Sequence, residues 1–231
     1  MTPRTTEVLI IFARAPEPGR VKTRLVPALG AEAACALHAA CVLDVHARHT
    51  DHAPPHREVV LYRAGDTAAE FWRGLPGPQR DQHGVDLGER MARAIGQELA
   101  RAPKVVILGA DSPTLPPERV DAAFAALEHA PVVLGPAEDG GYYLLGARDR
   151  LPPVFSGPIW GTARVLADTC DLLDAAGLRY QRLEDCFDVD RPEDLERLRR
   201  AVEAIPREGG VLPARVAAWL AGPGSGPRNP P

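Results

Sequence analysis

The chain has 231 residues, 27 Lys and Arg against 31 Asp and Glu, and a formal net charge of −4. With 45% hydrophobic and 25% charged residues, it suits a folded α/β domain rather than a disordered chain. No apolar run nears the ~20 residues of a membrane helix, no basic block suits nucleic acid, and nothing at the start resembles a secretion signal. A cytoplasmic protein is therefore expected, partnered by neither membrane nor nucleic acid.

Residues 7–13, EVLIIFA, form a continuous apolar run before a Pro/Gly loop, the pattern of a strand buried on both faces. The Ala-rich stretch 30–48 carries apolar residues at helical spacing. A second strand is expected at 57–63, a short helix at 66–73, and a Gly/Pro loop with room for a brief strand at 74–84. A helix over 87–102 precedes the strand KVVILGA, 104–110. The helix over 117–129 enters through Pro116-Pro117, which favours a helix start. Strands at 131–137 and 142–148 are joined by Glu138-Asp139-Gly140-Gly141, too short for a crossover and so an antiparallel turn. Beyond lie a helix over 160–176, a strand at 178–183 and a helix over 192–204. An amphipathic helix over 211–220 could cover the sheet or meet a second copy in a homodimer. Residues 222–231, GPGSGPRNPP, read as a mobile tail. Strands alternating with helices predict one doubly wound domain over 1–221, three layers deep, mostly parallel with one antiparallel strand.

Cys35, Cys41, Cys170 and Cys186 show no metal-binding spacing and read as reduced thiols. Only two of the 27 basic residues, Lys22 and Lys104, are lysine, so each marks a place wanting a compact ammonium. In such a sheet, ligands collect at the carboxyl ends of the strands. After the first strand, Ala15-Pro16-Glu17-Pro18-Gly19-Arg20-Val21-Lys22-Thr23-Arg24 offers three alternating cations, which an extended backbone would aim to one side, toward a diphosphate. The loop matches neither a P-loop nor a dinucleotide fingerprint. Asp111, directly after a buried strand, suits a hard divalent ion, with an Asp-Ser-Pro turn as the competing account. Asp188 and Asp190 share one face of an extended segment, and Asp190 is also placed to cap the next helix, with Glu193 three residues on. Asp139 before paired glycines is either a site carboxylate or an ordinary hairpin turn.

IFARAPEPGRVKTRL, QHGVDLGERM, LGADSPTLP, GPAEDGGYYLLG, IWGTARVLADT and FDVDRPEDL, in that order, resemble a glycosyltransferase-like family with the GT-A (nucleotide-diphospho-sugar transferase) fold. Its members are often encoded beside radical-SAM proteins, and some are assigned to arsenosugar biosynthesis. More distantly the layout is similar to nucleotidyltransferases such as the guanylyltransferase of deazaflavin-cofactor synthesis. The resemblance implies that Arg14, Gly19, Lys22 and Arg24 line the donor diphosphate, and that Gln82, Gly84 and Gly88, with Asp86 and Leu87, lie near the nucleobase. It implies that Asp111 and Asp190 hold Mg2+ or Mn2+, and that Asp139, Gly140 and Gly141 face sugar or acceptor. Arg14 stands where Lys is common and Gly161 where Ser is frequent.

The expectation is thus a metal-dependent transferase passing a sugar from a nucleotide-diphospho-sugar to a small acceptor. Asp139 would act as base, with Asp111 and Lys22 stabilising the leaving diphosphate. The alternative on the same fold is a nucleotidyltransferase releasing pyrophosphate from a nucleoside triphosphate. A nucleotide-binding protein without turnover is a third reading.

Overall fold

The computed structural model describes residues 5–66, 69–157, 160–208 and 210–222. Seven strands, β1 (Glu7–Arg14), β2 (Arg57–Ala64), β3 (Gln79–Asp81), β4 (Lys104–Gly109), β5 (Val132–Pro136), β6 (Tyr142–Arg148) and β7 (Tyr180–Arg182), form one sheet in the order β3-β2-β1-β4-β6-β5-β7. β6 alone runs antiparallel to its neighbours, β4 and β5. The helices are α1 (Val26–Leu29), α2 (Ala31–Asp51), α3 (Leu87–Leu99), α4 (Pro117–Ala126), α5 (Val165–Ala175), α6 (Pro192–Ala204) and α7 (Ala214–Ala221).

The continuous apolar runs are buried on both faces, as helices on each side require. Leu9, Ile11, Leu61, Val106 and Leu108 pack with Val42 and Val45 of α2 and Phe124 of α4. Val8, Ile10, Val60, Val105 and Ile107 pack on Met91, Ala94 and Ile95 of α3 and Leu173 of α5. Each such side chain contributes about 1.5–3 kcal/mol by leaving water. A third cluster joins α1, α2, α6 and α7 through Leu29, Leu37, Leu198, Val216 and Leu220. The C-terminal helix therefore covers its own chain's helices rather than the sheet.

Differences from the expected elements have local causes. The helix expected at 66–73 is a 3-10 turn at Glu70–Gly74; Thr67 and Ala68 lie outside the described residues, as does the expected tail from residue 223 onward. α1 is an additional short helix in the first loop. α4 stops at Ala126, short of Ala130-Pro131, where the residue before proline disfavours helix. α5 begins at Val165 rather than at 160, after turns that include Gly161 at φ 81°. α7 begins at Ala214 because the Asp44 carboxylate accepts the N–H groups of Val216 (2.8 Å) and Arg215 (3.2 Å), fixing its first turn.

β1 connects toward β2 on one side and has β4 on the other, so the sheet order reverses between β1 and β4. A crevice opens there at the carboxyl ends. Because β6 runs backwards, its beginning lies at the same edge, Leu144 pairing with Leu108. The turn 138–141 therefore joins the loops after β1 and β4.

Candidate functional site

The loop after β1 is a series of turns, not an extended segment, with Gly19 at φ 75° and Lys22 at φ 46°. The expected alternation of Arg20, Lys22 and Arg24 to one side therefore fails. Arg20 turns back to Glu17 (3.5 Å), Arg24 reaches Asp190 Oδ2 (3.5 Å), and Lys22 goes inward with its side chain 1% exposed. A lysine in the left-handed region is uncommon, and a buried ammonium is costly unless paired. Here its Nζ donates to Asp111 Oδ1 and to Asp190 Oδ1 (3.2 Å). Burial works to lower the Lys22 pKa, but Asp111 and Asp190 outweigh it and hold the ammonium charged. Arg14 sits exposed at the end of β1, its carbonyl bound to His38 Nε2 (2.9 Å).

Asp111 follows β4, and its carbonyl accepts the Val189 N–H (3.1 Å), laying 186–190 against the β4 loop. Burial favours the neutral Asp111 carboxyl, yet Lys22 and His38 hold it below the ordinary range. Asp188 behaves oppositely. Burial and the neighbouring Asp111 and Asp139 push its carboxyl up to about 7, despite the hydrogen bond from Ser112 Oγ. Asp190 does not cap α6. Asp194 accepts the N–H groups of Arg191 (2.7 Å) and Asp190 (2.9 Å), leaving the Asp190 carboxylate to Lys22 and Arg24. The Asp188 shift has a stability consequence. Its penalty is absent below the ordinary carboxylate pKa, grows as pH rises, and is complete above about 7. Asp188→Asn, which keeps an acceptor for Ser112, should raise the thermal midpoint by about 3 °C at pH 8 and by less at pH 5. Melting curves at both pH values, with chelator present, check this.

Asp139 Oδ1 accepts the Gly141 N–H (2.9 Å), an Asx turn in the β5–β6 hairpin, and Asp139 lines both cavities of the crevice. Gly140, at φ 90°, lies so close to Ala163 that a Cβ would stand 2.1 Å from that carbonyl oxygen. Two cavities meet here. One, of about 280 Å3, has apolar walls from Phe12, Met91, Ile107, Leu145 and Trp160, with Asp111, Asp139 and Asp188 also lining it. The other, about 210 Å3, is lined by Arg24, Arg191, Asp139, Asp188 and Asp190.

Within the segment 82–88, Gln82, Gly84, Asp86 and Gly88 make specific contacts with the frame, while the Val85 and Leu87 side chains stay exposed. The Gln82 amide donates to the carbonyls of Ala13 (3.0 Å) and Tyr62 (3.0 Å), tying β1 to β2. Gly84, at φ 150°, presses on Arg90, and Asp86 caps α3 by accepting the Glu89 N–H (2.8 Å). A Cβ at Gly88 would lie 2.2 Å from the Trp160 indole nitrogen. Gly88→Ala should therefore displace Trp160 and reshape the larger cavity, costing about 1–3 kcal/mol. Thermal unfolding and Trp160 fluorescence check both effects.

The structure thus brings Lys22, Arg24, Asp111, Asp139 and Asp190 together with Gly140 and Gly141, and keeps Gln82 in the backbone framework. Sequence reasoning missed Ser112 as the partner of Asp188, and also His38, a lone histidine in an Ala-rich helix with no signal to mark it. The cysteines are free thiols; burial pushes Cys41 up to about 12 and Cys186 to about 11, so neither is an activated nucleophile. Among the described residues, no group of three or more His, Cys, Asp or Glu side chains is arranged to hold a metal, and no helix is long and apolar enough to cross a membrane. Asp111 and Asp190 nevertheless converge on one cation, the Lys22 ammonium, while remaining 46% and 39% exposed. Such a pair fits Mg2+ or Mn2+, which bind through one or two carboxylates and take further oxygens from water and phosphate.

A search of curated proteins returned no sequence match. Among solved structures, a protein from Desulfovibrio desulfuricans G20, provisionally named a nucleotide-diphospho-sugar transferase, is 33% identical over 93% of this chain and 95% of that one, with a TM-score of 0.83. A CMP:2-keto-3-deoxy-manno-octonic acid synthetase complexed with CTP is 15% identical over 86% and 98% of the chains (TM-score 0.58). A cytidylyltransferase from Leptospira borgpetersenii is 11% identical over 98% and 99% (TM-score 0.59). These last two share the fold, an α/β architecture with a mostly parallel sheet. Residues 45–162 match the family model described as "Uncharacterized protein conserved in bacteria", DUF2064, and the chain belongs to that family.

Proposed function

We propose that this chain is a metal-dependent transferase that moves a sugar from a nucleotide-diphospho-sugar to a small-molecule acceptor. The observation that carries the reading is the buried Lys22 ammonium set between Asp111 and Asp190 at the point where the strand order reverses, with Arg24 on its outer side. The name of the Desulfovibrio relative supports the same class. Leaving-group charge is the chief obstacle to glycosyl transfer, and preorganised cations in a partly dry site relieve it most effectively.

The acceptor hydroxyl oxygen forms the new bond to the anomeric carbon while the bond from that carbon to the diphosphate oxygen breaks. The electron pair departs on the diphosphate, where Lys22 and Arg24 receive the charge. The hydroxyl proton passes to the Asp139 carboxylate, whose Oδ1 is fixed by Gly141. Asp111 and Asp190 are the residues that would hold Mg2+ or Mn2+, which supplies charge neutralisation to the diphosphate when bound. Free thiols suit the reducing cytoplasm.

Asp111→Asn keeps the shape of the side chain and removes its charge. It should lower kcat by about 10²–10³-fold and abolish the response to added Mn2+. Donor consumption, followed as nucleoside diphosphate release, checks this; undiminished, metal-responsive turnover would contradict the mechanism.

A further inference from the structure

The mechanism uses the carboxylate edge of the larger cavity and leaves its apolar walls unexplained. Those walls come from four elements: Phe12 on β1, Met91 on α3, Ile107 on β4 and Leu145 on β6, closed by the Trp160 indole. Trp160 is held in place on three sides. It stacks on Phe155 (6.5 Å between centroids), meets Tyr142 edge-on (6.3 Å), and rests on the bare backbone of Gly88. Leu87, 43% exposed, extends the apolar lining, and Val85 beside it in the chain is 89% exposed. A cavity of about 280 Å3 would hold roughly nine waters, and water gains little against such walls. Apolar lining with a few convergent polar groups is the usual make-up of a small-molecule site. The polar side chains here are the Asp111, Asp139 and Asp188 carboxylates with Ser112, Thr162, Tyr142 and Tyr143; among the described residues no Lys or Arg lines this cavity. The arginines of the crevice, Arg24 and Arg191, line the neighbouring cavity together with Glu138, Asp139, Asp188, Asp190 and Asp194, and on the transfer reading the donor diphosphate lies on that side.

We infer that the larger cavity takes the acceptor, and that the acceptor is a molecule with an apolar body about the size of one ring, carrying a hydroxyl or amine and no anionic group. This rests on the transfer reading above. Apolar walls bury the body, the carboxylates accept the O–H or N–H, and a phosphate or carboxylate on the acceptor would lie against Asp139 and Asp188 with no Lys or Arg in the described lining to receive it. The cavity thereby selects against phosphorylated acceptors.

The probes are phenethyl alcohol, phenethylamine and phenylacetate, which share one apolar body and differ in the polar group. Each is titrated into the full chain without nucleotide, following the Trp160 indole N–H resonance, assigned with Trp160→Phe. The alcohol and the amine should shift this resonance, and phenylacetate should bind at least about tenfold more weakly, since like charges brought together cost more than the ~1.4 kcal/mol of one decade. Equal binding of phenylacetate and the alcohol, or no shift with any probe, would overturn the inference. A parallel titration with nucleoside diphosphates and Mn2+ separates the two readings. If the probes bind and no diphosphate does, the transfer reading fails while the cavity's ligand class stands; if a diphosphate binds and no probe does, only this inference fails.

Discussion

Lys22→Met should lower kcat/KM for the donor by about 10²–10³-fold, the usual cost of removing one preorganised group that stabilises a developing anion. Methionine retains much of the stem's length and apolar character, so the packing around the side chain is largely kept. What disappears is the cation on which Asp111 and Asp190 converge. Breaking a fully buried pair costs about 3–5 kcal/mol. These two carboxylates are near half-exposed and can recover water, so the loss of stability should be smaller, about 1–2 kcal/mol. Lys22→Arg should not rescue, because a planar fork does not fit the place of a compact ammonium at φ 46°. Steady-state kinetics alongside thermal melts separate the two effects. Activity within tenfold of the parent would mean that the ammonium is only structural.

Gly140→Ala should be the most destabilising single-methyl change in the site. Its φ of 90° is strained for any residue with a Cβ, at about 1–3 kcal/mol. The added carbon would also stand 2.1 Å from the Ala163 carbonyl oxygen, a backbone atom that cannot swing aside. Together these predict a loss of about 3 kcal/mol or more, or roughly 6–12 °C in thermal midpoint for a chain of this length. The neighbouring Gly141→Ala is the control. Its Cβ would meet only the Asp139 carboxylate at 3.2 Å, and its φ is not positive, so its cost should stay below about 1 kcal/mol. Calorimetric melts of the pair decide; equal losses would show that the tight contact with Ala163 does not hold in solution.

The sheet was legible because its strands are short apolar runs between Gly/Pro loops, and the link 138–141 is too short for anything but an antiparallel return. Asp111 was legible for the same reason: a carboxylate immediately after a buried strand stands out. The path of Lys22 was not. Local alternation pointed Arg20, Lys22 and Arg24 to one side, whereas Gly19 and Lys22 both take positive φ, and the partners that make this tolerable lie 89 and 168 residues away. Nor did the sequence show the contacts of Gln82, Gly84 and Gly88, because their partners, the carbonyls of Ala13 and Tyr62, Arg90 and the Trp160 ring, come together only in the fold. The cap of α6 was misassigned by one residue. Asp194, not Asp190 with Glu193, closes that helix end, and this frees Asp190 for Lys22 and Arg24.

On the proposed function, the crevice between β1 and β4 binds a nucleoside diphosphate through Lys22, Arg24 and the carboxylates that would hold the metal. Calorimetric titration of the full chain with UDP, GDP, CDP and ADP and the corresponding triphosphates, with and without Mn2+, tests it most directly. Metal-dependent binding of one diphosphate, lost in Asp111→Ala, is the expected result. A clear preference for a triphosphate would contradict sugar transfer in favour of nucleotidyl transfer with pyrophosphate release, and no binding of any nucleotide would contradict the claim outright.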